Sequence, residues 1–363
     1  MGAGVVGVSI ALELQARGVG AVVLDRAGVA AGQSGVQPGG VRLQWGTAIN
    51  CMLARESLAW WRLAPDRLSS SVPLGFTACG YLFVAHSQAV LEGMGENVRV
   101  QNSEGVQSRI VGPAEAAALV PGLDVTTVVG AAWCADDGYV DHPQAMIEAM
   151  AQQVDVRIAE VQGARRTGAG WALETSGGRF EADAVVLAAG IETSRLLAPL
   201  GVDLPVVPEA RHLFLSNPIR ERLVEPLVIS GERHLAAKQL SSGRVLASDL
   251  SASGDPEIAA PQWKANIRVA ISELLPVLEY VDFTVIVSGE YDVTPDRQPI
   301  LGPVPGQDGL YVATGFSGHG FMIAPAVSRI VAGAVLGEHD PALDVMDAGR
   351  FAAQRLVPER QVI

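Results

Sequence analysis

The stretch Gly2-Ala3-Gly4-Val5-Val6-Gly7 decides the fold, together with the helical stripe of Ile10, Ala11, Leu12 and Leu14 after it and the run Ala21-Val22-Val23-Leu24-Asp25. In a Gly-x-Gly-x-x-Gly turn the first glycine makes the tight bend, the second lets a pyrophosphate approach the backbone, and the third lets the helix pack close. The helix beyond it offers unpaired N–H groups and the positive end of its dipole. Gly18 and Gly20 stop that helix. The apolar run that follows ends in a carboxylate, close to the offset of about 20 residues expected of an acid that holds a ribose hydroxyl. Asp25 would repel a 2′-phosphate, so an unphosphorylated ribose is expected. Turn, helix, turn and strand make most of a βαβ unit, yet the fingerprint should follow a strand and only Met1 stands before Gly2. Two readings result: a true start upstream, with the first strand missing from the N-terminus as given, or a chain that binds its nucleotide poorly. The consistency of the downstream features favours the first.

Outward from this motif, the chain has 363 residues, enough for two to three domains or one large two-lobed unit at about 150 residues per domain. With 49% apolar and 18% charged residues it can bury a sizeable core and lacks the composition of a disordered chain. The balance of 26 basic against 39 acidic residues gives −13, so the average surface repels a phosphate backbone and no nucleic-acid partner is expected. Cys51, Cys79 and Cys134 have neither CxxC nor metal-type spacing and suit a reducing compartment, which points to a cytoplasmic location. No run approaches ~20 uncharged apolar residues and no basic segment precedes an apolar one at the start, so neither a membrane span nor a signal peptide is expected. His142, His212, His234 and His339 lack metal-ligand spacing, and Asp136, Asp137 and Asp141 lack the glycine and glutamate of a calcium loop. No metal is expected, and these aspartates read as a turn.

Along the chain, residues 27–46 read as a Gly-rich loop, 47–63 as a helix, 81–85 as a strand, and 113–119 and 143–152 as helices. A hairpin over 171–180 leads to a buried strand over 184–190, and a helix is expected over 261–275. Near the end, the strand 309–315 runs into Phe316-Ser317-Gly318-His319-Gly320-Phe321 and then a helix through Leu336. The expected fold class is α/β: a Rossmann-like lobe assembled from 1–70, 140–204 and 288–363, and a second mixed-sheet lobe from 71–139 and 205–287.

Taken together, several segments resemble the FAD-dependent amino-acid oxidase superfamily. They are the glycine fingerprint, the 27–46 loop, Asp137-Gly138-Tyr139-Val140-Asp141, residues 185–190, Thr294-Pro295-Asp296-x-x-Pro299-Ile300 and Gly315-Phe316-Ser317-Gly318-His319-Gly320-Phe321. The resemblance spans nearly the whole chain and points to the branch of sarcosine oxidase, dimethylglycine dehydrogenase, glycine oxidase and the flavin subunits of proline and hydroxyproline dehydrogenases. It implies an FAD lobe and a substrate lobe with the flavin at their interface. The implied cofactor-binding residues are Gly2, Gly4, Gly7, Asp25, Arg26, Gly39, Gly40, Val41, Val161, Ala189, Gly190, Gly315, Ser317, Gly318, His319, Gly320, Phe321 and Met322. The FAD is expected to be non-covalent, because the cysteine that tethers flavin in monomeric sarcosine oxidase is replaced here by Gly289.

The chemistry implied is removal of a hydride from the carbon next to nitrogen, delivered to flavin N5, leaving an imine. A strong base is not required where the pocket lowers the pKa of the amine. The implied catalytic residues are Lys238, His319 and Arg42, and the substrate contacts are Arg42, Trp45, Arg211, Lys238 and Tyr291. An amino-acid carboxylate calls for arginine or lysine. Lys238 has a competing reading as a surface charge at a strand edge. The carboxylate-binding basic residues of sarcosine oxidase align with Trp45 and Met322, which have an ordinary core reading and turn the expectation toward a bulkier or cyclic secondary amine. Asp296 and Arg297 read as fixing a loop beneath the flavin. The expected partner is a small-molecule amine or amino acid, with a partner subunit or electron acceptor possible. The alternative is a catalytically lapsed flavoprotein-like subunit or assembly factor; an NAD-linked dehydrogenase is disfavoured by the lack of a second glycine fingerprint.

Overall fold

The opening glycines fold as a turn into the helix Val5–Ala16, and Val22–Asp25 is a strand beside it. The computed structural model describes residues 1–168 and 170–361. Val22–Asp25 pairs in parallel with Asp155–Ile158. Val185–Leu187 pairs in parallel with Leu310–Thr314, which also pairs antiparallel with Ile300–Pro303. Met1 and Gly2 stitch these two small sheets together. The Met1 ammonium donates to Val186 O at 2.6 Å, Ala188 N donates to Met1 O at 2.8 Å, and Gly2 N donates to Leu24 O at 2.8 Å.

Behind these strands the apolar helix Gly320–Val335 packs on the opening helix and on Ala48–Arg67. Ile323, Val327, Ile330 and Val331 meet Val8, Ile10, Leu14 and Leu58 in one cluster, the buried stripe that the helical periodicity requires.

The largest sheet has eight strands, in the order Phe283–Val293, Val207–Ser216, Val245–Asp249, Leu235–Gln239, Leu227–Ser230, Tyr81–Ala85, Gly130–Cys134 and Ser108–Val111. Only Leu227–Ser230 beside Tyr81–Ala85 is parallel, so the sheet is mixed. Because side chains alternate along a strand, one face sends Leu82, Phe214, Val228, Ala237 and Ala247 into Trp263, Ile267 and Ile271 of the helix Pro256–Leu274. The opposite face roofs the crevice described below.

Four expectations shift in detail. The strand expected over 184–190 stops at Leu187, because Gly190 takes φ +55° and starts a 3-10 turn, Gly190–Glu192. The acidic segment around 137 is not simply a turn: Gly138–Val140 pairs with both Gly40–Val41 and Phe76–Ala78. Glycine permits this, since a Cβ at 138 would stand 1.9 Å from Thr77 O. The helix expected over 261–275 begins at Pro256, where Asp255 accepts from Glu257 N at 2.9 Å and proline occupies the first turn. The helix from 48 continues past 63 to Arg67, carrying Pro65 inside its last turn.

Candidate cofactor and substrate site

One crevice of about 450 Å³ runs from the opening glycine turn to the His319 turn, beneath the free face of the large sheet. Its first end is walled by Met1, Gly2, Gly4, Asp25, Arg26, Val161, Ala189 and Gly190. Here the backbone leaves no room for side chains. A Cβ on Gly2, at φ +102°, would sit 2.3 Å from Ala188 O, and one on Gly7 would sit 2.0 Å from Gly2 O. The helix Val5–Ala16 has no acid in its first turn; Ser34 Oγ accepts from Val5 N at 3.0 Å, and the positive end of the helix dipole meets the crevice. That is a cradle for an anion such as a pyrophosphate. Asp25 lines the same end and also braces the loop: its carboxylate accepts from Ala3 N at 2.7 Å, Ala27 N at 2.8 Å and Gly28 N at 2.9 Å. The sequence predicts the lining role but gives no sign of the brace.

At the other end stands the turn from Phe316 to Phe321. A Cβ on Gly318, at φ +86°, would sit 2.3 Å from the Tyr291 ring, so only glycine lets the turn lie against that tyrosine. Buried Asp292 holds the turn by accepting from Gly315 N at 2.7 Å and Thr314 Oγ1 at 3.4 Å, while Ser317 N donates to its backbone oxygen at 3.0 Å. Burial pushes the Asp292 carboxyl up. His319 precedes the helix Gly320–Val335, which has neither a side-chain cap nor an acid in its first turn, so a second positive helix end meets the crevice. The His319 ring stands edge-on to Trp45 at 4.5 Å, with Nε2 3.4 Å from Arg42 Nη2. Burial, then the Arg42 charge, pushes its pKa well below the ordinary histidine range, so the imidazole is neutral.

The roof carries Leu213, Leu227, Leu246, Val287, Lys238 and Arg211 over this end. Register aligns them: Lys238 faces Leu246, Leu213 faces Val287, and Arg211 faces Gly289. Lys238 is not the surface charge of the ordinary reading. It is 1% exposed, donates to Pro38 O at 3.1 Å and lies 4.4 Å from the Tyr139 ring centre; burial lowers its pKa to about 8. Arg211 reaches the crevice paired with Glu209 and 5.1 Å from the centre of the Tyr291 ring.

Gly40, Gly318, Gly320, Phe321, Met322 and Tyr291 all line the crevice as well. Gly7, Gly39, Val41, Gly315 and Ser317 do not line it. Direct substrate contact by Arg42 and Trp45 does not fit the geometry, because neither reaches the crevice. Trp45 is 1% exposed in the core, and the Arg42 guanidinium is spent on the carbonyl oxygens of Gln44 and Gln361. Asp296 fixes its loop through a buried ion pair with Arg350 at 2.8 Å, and Arg297 pairs with Glu209 at 3.1 Å. The leucine roof, Asp292 and the Arg42 environment escape the sequence reading. The roof strands Leu235–Gln239 and Val245–Asp249 are buried on both faces and so show no alternation of polar and apolar residues to betray the crevice side.

A glycine turn opening on one helix, an acid-ended strand beside it and a second uncapped helix end, all along one crevice, define a dinucleotide-binding oxidoreductase scaffold. Residues 1–334 match the family described as FAD dependent oxidoreductase, and the chain belongs to that family. FAD is the cofactor that this membership gives the chain. Glycine oxidase of Geobacillus kaustophilus is 25% identical over 92% of this chain and 90% of its own length. The match to glycine oxidase of Pseudomonas aeruginosa, at 32% identity, spans 47% of this chain and 46% of that protein. Among solved structures, L-proline dehydrogenase from P. horikoshii superposes with a TM-score of 0.89 at 26% identity, covering 98% of this chain and 97% of that one. No helix among the described residues is long and apolar enough to cross a membrane.

Proposed function

We propose that the chain oxidises the C–N bond of a secondary amine or amino acid with a bulky apolar or cyclic substituent, using non-covalently held FAD. The observation that carries this is the continuity of the crevice, from the anion cradle at Gly2 to an aliphatic roof that carries two cations. The relatives include enzymes named for glycine, L-proline and 4-methylaminobutanoate, all of which contain an amine nitrogen. In this reading residues 1–70, 140–204 and 288–363 form the cofactor lobe, and 71–139 with 205–287 form the substrate lobe. The long strand Phe283–Val293 crosses the boundary between them and carries Tyr291 to the cofactor.

When bound, FAD supplies the hydride acceptor at N5. Gly2, Gly4, Asp25 and the start of the first helix hold its pyrophosphate and ribose; Gly318, Gly320 and the start of the last long helix hold the edge of its ring and stabilise negative charge there. No cysteine lines the crevice among the described residues, which supports non-covalent binding. Arg211 and Lys238 draw a substrate carboxylate to the roof. Leu213, Leu246 and Val287 exclude water from the amine, and desolvation beside Lys238 favours the neutral amine that hydride loss requires. The buried, unpaired thiols of Cys51, Cys79 and Cys134 support a reducing, cytoplasmic setting. Electrons leave to a small acceptor or a partner subunit.

The test is anaerobic mixing of the FAD-loaded protein with L-proline, sarcosine and glycine while the visible flavin band is followed. L-Proline should bleach it fastest and glycine slowest. The lapsed-subunit reading predicts a bound flavin that none of the three bleaches.

A further inference from the structure

Residues 352–358 run exposed over the surface, yet Glu359 and Gln361 just beyond them are only 3% and 8% exposed. The Glu359 carboxylate accepts from Gly46 N at 2.8 Å, Gln361 N at 2.8 Å, Thr47 Oγ1 at 2.8 Å and Asn50 Nδ2 at 2.9 Å. It thereby ties the segment to the start of the helix Ala48–Arg67 through the Thr47 and Asn50 side chains and the Gly46 N–H just before it. Glu359 N donates to Asp296 O at 2.9 Å, and Asp296 is clamped by Arg350 through two bonds of 2.8 and 2.9 Å. The Gln361 side chain accepts from Asn97 Nδ2, and its backbone oxygen accepts from Arg42 Nη2. The segment is thus anchored on the Thr-Pro-Asp loop and on a helix start, and its inner end grips an arginine.

That arginine is unusual. Arg42 is fully buried, lies 4.0 Å from the centre of the Trp45 ring, approaches His319 Nε2 to 3.4 Å and leaves Nε without a partner. No carboxylate among the described residues comes within ion-pair distance of it. Burial lowers its pKa, and the charge that counters this most is Glu359, followed by Asp137. A buried cation without a direct partner is costly, so its position and its net field depend on the few groups that hold it.

We propose that Glu359 and Gln361 are positioning residues of the cofactor site: they hold Arg42 against His319 and set the charge behind the turn that faces the flavin. The inference rests on the reading that FAD lies against the His319 turn. Glu359 partly cancels the Arg42 charge. Its removal leaves the site more positive and favours the reduced, more negative flavin, whereas loss of the whole segment frees Arg42 and loosens the turn.

The test uses the full chain loaded with FAD and reads the reduction potential and the FAD dissociation constant, not turnover. Glu359→Gln should shift the oxidised-to-reduced equilibrium about tenfold toward reduced flavin, near 30 mV for a two-electron couple. Glu359→Asp, which keeps the charge, should keep the wild-type potential. A chain ending at Pro358 should bind FAD at least about tenfold more weakly. Should Glu359→Gln fail to fold, Asn97→Ala releases the Gln361 side chain without touching the Glu359 contacts and should weaken FAD binding about threefold. Variants that lose thermal stability but keep the wild-type potential and FAD affinity would reduce the segment to a structural tie and overturn the inference. A wild-type chain that binds no FAD would overturn the cofactor reading and this inference together.

Discussion

The two ends of the crevice are built by different means. The glycine-turn end is made of backbone: Gly2 and Gly7 admit no Cβ, and the start of the first helix supplies the charge. The roof is made of side chains on one face of a sheet, with Leu213, Leu227, Lys238 and Leu246 contributed by four separate strands. In the proposed function, the first kind of site serves any ligand that carries a pyrophosphate and tolerates almost no substitution. The second, in the same proposal, chooses a substrate by shape and charge, and its residues can change while the sheet survives.

If this contrast is right, damage at the two ends must separate in what it costs. The largest effect is expected from Gly7→Val, which drives a side chain into Gly2 O. Overpacking of up to about 3 kcal/mol corresponds to roughly a hundredfold loss of FAD affinity, read by fluorescence titration. Wild-type affinity in this variant would break the comparison. Next comes Lys238→Met. Loss of a charged partner at about 1.5–3 kcal/mol should lower kcat/KM for a carboxylate-bearing amine by roughly ten- to a hundredfold while FAD affinity stays unchanged. Equal loss of FAD binding would mean the two ends are not separable.

A smaller effect sharpens the contrast within the roof. Leu246→Ala should lower kcat/KM for L-proline relative to glycine by about tenfold, the value of a few buried methylenes in a hydrophobic pocket. A uniform loss for both substrates would show that Leu246 serves packing alone.

The smallest effect lies behind the Arg42 loop. Asp137 is fully buried, accepts from Leu43 N at 2.6 Å and Gln44 Nε2 at 2.8 Å, and is pushed by burial up to about 7. A carboxyl raised in the folded state contributes stability that is fully present below about pH 4 and is lost as pH rises through about 7. Asp137→Asn stays neutral throughout. The Tm of the wild type minus that of the variant should therefore fall by a few degrees between about pH 5 and about pH 8. A difference that does not change with pH would contradict the buried charge.

What could be read from the sequence follows the same division. The opening turn, Asp25 and the stretch from Gly315 to Phe321 are local patterns in which one residue type is demanded by backbone geometry, and the sequence places all of them on the two ends of the crevice. The roof could not be read in this way. Val245–Asp249 and Leu235–Gln239 are buried on both faces, so their residues look alike on the crevice side and the helix side, and only the register with distant strands tells them apart. Lys238 illustrates the limit: a lysine flanked by alanine and glutamine looks exposed until the two neighbouring strands and the Pro38 loop close around it. Arg42 illustrates the reverse, because its place near the His319 turn is legible while its turning away from the crevice, onto Gln361, depends on a segment more than three hundred residues away.

The central claim, that one continuous crevice carries cofactor at one end and amine at the other, is tested most directly by a crystal structure of the FAD complex soaked with a non-oxidisable carboxylate analogue of proline. The account predicts the pyrophosphate at the start of the Val5–Ala16 helix, the flavin ring against Gly318 and Gly320, and the analogue between the ring and the Leu246–Lys238 face. An analogue bound outside that gap, or a flavin ring seated away from the His319 turn, would contradict it.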